Sequence, residues 1–164
     1  MVGTHARPDR CGEQAPLVCR FVQDGGPSAG YLVSVADKTD RKDAMDYRLE
    51  LVPLPVSDVD RAKAFYTEKI GFVEDLDHSG EEGFRVVQLT PPGSACSVAV
   101  GSGIVDTPPG SVQGLHLVVP DIETARAEFA ERGVEVGEVL DLGGMLYASF
   151  KDPDGNGWTL QQLA

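Results

Sequence analysis

Three things are scarce in this chain: cysteine, basic side chains and long apolar runs. Cys11, Cys19 and Cys96 are odd in number and irregularly spaced, which makes no disulfide framework and points to a reducing compartment. Cys11 and Cys19 have no neighbouring second pair with which to hold zinc. A membrane-spanning helix takes about 20 apolar residues and a secretory leader takes an apolar core. The sequence offers neither, so a cytoplasmic protein with no membrane partner is expected. Fourteen Lys and Arg stand against twenty-six Asp and Glu, for a formal net charge of −12. Such a surface repels phosphate backbones, which excludes nucleic acid as a partner.

The charge is unevenly spread. Residues 1–44 hold six basic and six acidic side chains, and so the remaining eight basic and twenty acidic ones all lie in residues 45–164. The first segment is rich in Gly, Pro, Asp and Arg, and its two short apolar runs, 17–22 and 31–36, are too short for a core. Residues 1–45 are therefore expected to form a flexible or loosely docked tail ahead of a domain over 46–164. Met45 stands immediately before the first strand signal, which raises the hypothesis that native translation starts there; intact mass of the natively expressed protein tests it.

What the chain does have is a repeat. Leu54 to Tyr66 (LPVSDVDRAKAFY) returns as Leu117 to Phe129 (LVVPDIETARAEF), at an offset of 63 (121 minus 58). Both read as apolar strand, acidic turn and amphipathic helix. After the helix Gly71 matches Gly133, so the offset drops to 62, and it is expected to stay at 62 where Gly93 matches Gly155. Two copies are too few to stack as a solenoid. Two modules closing around a shared site fit better.

In the first module Arg48 to Val56 reads as a strand, Ser57 with Asp60 as a helix start, and Ala62, Phe65, Tyr66 and Ile70 as one apolar helix face ending at Gly71. Strands follow near 73–77, 84–90 and 97–100, separated by turn-rich segments. The second module repeats the order: strand 113–119, helix 122–132, then strands near 136–140, 145–151 and 158–163. The modules, 47–104 and 112–164, are thus each β-α-β-β-β. One helix cannot cover both faces of a four-stranded sheet, so each needs its twin.

This pair of modules, with Val-x-Asp before each helix and Asp152-Pro153-Asp154-Gly155-Asn156-Gly157 before the last strand, resembles the vicinal oxygen chelate superfamily, which includes glyoxalase I, bleomycin-resistance proteins and extradiol dioxygenases. The resemblance implies an α+β fold in which the two modules form a cup-shaped mixed sheet with flanking helices around a small-molecule site. It also implies a homodimer, since members commonly pair through sheet edges and helices. Asp152-x-Asp154-x-Asn156-Gly157 also matches the start of an EF-hand loop, but the twelfth position is Leu163 rather than a glutamate and the flanks are strands, so it reads as a tight turn.

Members of the superfamily usually hold a divalent metal with side chains on the first and last strands of each module. By the family's spacing from Val-x-Asp and Asp-Pro-Asp-Gly these positions fall on Leu51, Ser97, Gly114 and Thr159. Two hydroxyls with no carboxylate, imidazole or thiolate make a very weak metal site. A slip of one residue would bring in Glu50 and Gln113, but would also turn the apolar strand faces inside out. His116 and Gln161 each lie two residues along from one of the four positions and so line the same face. A lone imidazole cannot make the site, and no metal or other cofactor is expected. Trp158, next to Thr159, faces the other way. Gly101-x-Gly103 lacks the setting of a phosphate loop, and no nucleophile elbow is present.

Three functions follow. One is a metal-free binding protein of the glyoxalase/bleomycin-resistance type, which sequesters an apolar or aromatic ligand against Leu51, Ser97, Gly114, His116, Thr159 and Gln161. Another is a lyase, isomerase or dioxygenase of the same superfamily, using metal in a different register or His116 as acid or base. The third is an interaction role with the cup filled by side chains.

Overall fold

The computed structural model describes residues 45–164, and within them the two copies of the repeat fold in the same order. Asp58 and Asp121 each adopt extended backbone and accept a hydrogen bond from the N–H three residues on, Arg61 and Thr124, so these aspartates rather than Ser57 start the helices. The first module runs β1 (Leu51–Leu54), α1 (Val59–Ala64) with a π-helical turn (Phe65–Ile70), β2 (Val73–Ser79), β3 (Arg85–Thr90) and β4 (Ser97–Ser102). The second runs β5 (Leu115–Val118), α2 (Ile122–Glu131), β6 (Leu140–Leu142), β7 (Met145–Lys151) and β8 (Gly157–Gln162).

Each module is a mixed four-stranded sheet, in the orders β1-β4-β3-β2 and β5-β8-β7-β6, with β1 parallel to β4 and β5 parallel to β8. The fold is α+β as expected, but the sheets do not join into one. No helix among the described residues is long and apolar enough to cross a membrane. The expectations for the tail, and for Cys11 and Cys19, lie outside the described residues.

The drop of the repeat offset from 63 to 62 has a structural cause. In the second helix the end is a Schellman closure: Gly133 is left-handed and the Val134 N–H bonds the Phe129 carbonyl, five residues back. In the first, Phe72 N–H bonds the Tyr66 carbonyl, six back, and Gly71 N–H bonds the same oxygen. The extra residue is absorbed as the π-turn, beside which Thr67 Oγ1 donates to the Lys63 carbonyl. Ala62, Phe65, Tyr66 and Ile70 are all buried, as the apolar spacing predicts.

Alternation then sorts the strands. Leu54, Val87, Leu89, Val98 and Val100 of the first sheet, and Ala148, Phe150, Trp158 and Leu160 of the second, join the helices in a single core. Tyr66 stacks on Phe72, and Trp158 lies edge-on to both. The Asp152–Asn156 turn seals this junction. Asp152 Oδ1 accepts the N–H groups of Asp154 and Asn156, which makes the tight turn, and Oδ2 accepts from Tyr66 Oη (2.8 Å) and Asn156 Nδ2 (2.7 Å). Asn156 also donates to the Pro55 carbonyl, and Tyr66 Oη accepts from Trp158 Nε1. Burial first, and then the Asp152 charge, hold the Tyr66 phenol far above its ordinary pKa, so it stays a neutral donor.

Candidate functional site

The residues that alternate with the core ones form the outer face of each sheet, which points away from the shared core. On the first sheet Leu51 lies directly across from Ser97, so these two positions share a face. Ser97 is buried, and its hydroxyl is occupied by Gln88 Nε2 at 3.2 Å and by Thr90 Oγ1 at 2.5 Å, while Thr90 also bonds Asp75.

On the second sheet the row is different. Thr159 lies across from His116, not from the position of Gly114, and across β7 from Ser149. Gly114 has φ +79 and stands outside β5, and Gly157 N–H reaches the Val112 carbonyl beyond it. The repeat offset therefore does not stay at 62. Val100 pairs with Leu54 and Leu160 with Leu117, so β4 and β8 correspond at an offset of 60 (160 minus 100), and the mate of Thr159 is Ala99 rather than Ser97. One cause is the hairpin link, which is Pro91–Cys96 in the first module and the shorter, Asp152-centred Asp152–Asn156 in the second.

His116 and Gln161 meet on this outer face. His116 Nδ1 and Gln161 Oε1 are 2.9 Å apart, and since a carbonyl oxygen can only accept, Nδ1 is the donor. The Tyr147 ring stands edge-on to His116 at 6.2 Å between centroids. Val118, Leu140 and Leu142 complete the face, each about 60% exposed (63%, 59% and 62%). Tyr147 and Ser149 were not among the sequence-derived candidates, although the strand Met145–Lys151 alternates them with buried Ala148 and Phe150. Trp158 is buried on the core side.

At the foot of the same sheet lies a cleft of about 900 Å³, within the range of small-ligand sites. Gly114, Ser149 and Thr159 line it together with Phe65, Lys69 and Lys151. Leu51, Ser97, His116 and Gln161 do not. The structure thus gathers the six sequence-derived positions into two groups: Leu51 with Ser97 on one sheet, and His116, Thr159 and Gln161 on the other, with Gly114 at the latter's edge.

The superfamily's metal is not matched by these residues. Leu51, Gly114, Ser97 and Thr159 supply no imidazole or carboxylate, and among the described residues no three His, Cys, Asp or Glu side chains come together to hold an ion. His116 alone remains.

Known proteins share this architecture. The model of the Glyoxalase/Bleomycin resistance protein/Dioxygenase superfamily matches residues 48–160. TnmS3, an antibiotic binding protein from Streptomyces sp. CB03234, is 36% identical, with a TM-score of 0.68 over 74% of this chain and 99% of that one. A glyoxalase/bleomycin resistance protein from the same organism is 37% identical, with a TM-score of 0.63 over 70% of this chain and 100% of that one. A superfamily member from Sphaerobacter thermophilus DSM 20745 is 30% identical, with a TM-score of 0.66 over 73% and 100%. No curated protein matches the chain. With its paired β-α-β-β-β modules and a family match over most of its length, the chain belongs to the glyoxalase/bleomycin resistance protein/dioxygenase superfamily.

Proposed function

We propose that this protein is a metal-free trap that sequesters an apolar or aromatic small molecule, of the kind antibiotics present, in the cytoplasm. The observation that carries the reading is the outer face of the second sheet. His116, Gln161 and Tyr147 form a polar and aromatic patch among Val118, Leu140 and Leu142, and the described residues place no ligand set for a metal beside it. A few oriented polar groups in an apolar surround is the composition of a binding site. The likeness to an antibiotic binding protein at 36% identity supports the same reading.

Among the described residues nothing covers these aliphatic side chains, and their exposure is costly in water. A second copy is the proposed cover, the first sheet of one protomer, with Leu51, Val73 and Leu76 also exposed, closing over the second sheet of the other. The test is calorimetric titration of the chelator-treated full chain with polycyclic aromatic antibiotics, followed by recovery of the compound. Saturable binding with the compound recovered unchanged is expected. Conversion of the compound, or binding only after metal is restored, would favour an enzyme.

A further inference from the structure

Eight basic side chains lie in residues 45–164. Six of them, Arg48, Arg61, Lys63, Arg85, Arg126 and Arg132, are in ion pairs with carboxylates. Among the described residues, Lys69 and Lys151 are in none, and both line the 900 Å³ cleft. In a segment with twenty acidic side chains, leaving two cations unpaired in the same cleft runs against the electrostatic trend of the rest of the surface.

Among the described residues, neither lysine is in an ion pair with the acids that share the cleft. Those acids are Asp152, whose two oxygens accept from Tyr66, Asn156 and two backbone N–H groups, and Glu135, which is exposed as both lysines are. Phe65, Phe150, Trp158, Ser149 and Thr159 line the same cleft. Lys69 and Phe65 are carried by the π-turn, the inserted residue by which the first helix departs from its mate, and such insertions recur at functional sites.

We propose that the cleft receives the acidic group of an aromatic guest, with Lys69 and Lys151 as its counter-ions. This rests on the binding function above and names the guest's chemical class as an aromatic carboxylate, sulfonate or acidic phenol. The body of the guest packs on the outer face, and its acid lies at the foot of the sheet.

Two dyes with the same arene separate the charge from the ring: 8-anilino-1-naphthalenesulfonate, which is anionic, and N-phenyl-1-naphthylamine, which is neutral. Each is titrated by fluorescence into the full chain, into Lys69→Met, Lys151→Met and the double variant, and into Arg126→Met as a surface control. Losing both lysines should weaken the anionic dye about tenfold and leave the neutral dye unchanged, with added salt acting on the anionic dye alone. Unchanged binding of the anionic dye to the double variant, or equal loss of both dyes, would overturn the proposal. A His116→Ala/Tyr147→Ala protein keeps the two readings apart. If it loses both dyes while the lysines prove irrelevant, the trap stands and the acidic guest falls. If only the lysines matter, the lysine site stands and the outer-face site falls. Failure of both dyes to bind the unmodified chain would overturn both.

Discussion

Tyr66 Oη ties the first module's helix to two points of the second module at once, donating to Asp152 and accepting from Trp158. Tyr66→Phe keeps the ring stack and removes only that atom, leaving the Trp158 N–H buried without its partner. A loss of about 1–3 kcal/mol in denaturant unfolding is expected. Thr159→Glu addresses the metal. Because Thr159 sits across from His116, the substitution would place a carboxylate beside an imidazole on adjacent strands, and measurable Ni²⁺ or Zn²⁺ binding should appear where the unmodified protein has little. Equilibrium dialysis checks it, and equal uptake by both proteins would count against the pairing. Gly114→His is the poorer route to a metal site, since φ +79 strains any side chain there.

At the scale of elements, α1 is clamped to its sheet by Asp77, which accepts from Arg85 and Lys63 while Arg85 also reaches Asp60. Arg85 first, and then Lys63, hold the Asp77 carboxyl well below the ordinary carboxylate range. A depressed folded-state pKa contributes stability that is present above the unfolded value and lost as pH falls toward the folded one. Asp77→Asn should therefore lower Tm at neutral pH, and the gap from the unmodified protein should close in acid, below the usual aspartate range. A gap that stayed constant down the pH series would show the clamp to be irrelevant.

Much of this level was legible in the sequence. The order of elements, the buried face of α1 and the inward turn of Trp158 follow from periods of 3.6 and 2, which the chain keeps. Pairing rows were not legible, because they depend on link geometry: neither the Gly114 kink nor the tight Asp152 turn changes the apolar pattern, yet together they bring His116 rather than Gly114 opposite Thr159. Nor does the sequence show that Lys69 and Lys151 share a cleft, since 82 positions separate them (151 minus 69).

For the whole molecule, the outer faces of the two sheets stand exposed among the described residues, and a second copy and a guest are their proposed cover. Sedimentation at micromolar concentration should find a dimer, and Val118→Asp together with Leu142→Asp should shift it to monomer without unfolding the shared core, which these residues do not enter. The proposed metal-free site on the outer face of the second sheet is checked by titrating the neutral dye N-phenyl-1-naphthylamine into the full chain in excess chelator. Saturable binding is expected, unchanged by the chelator and weakened about tenfold in the His116→Ala/Tyr147→Ala protein. Binding that disappears with the chelator, or that ignores both substitutions, would contradict it.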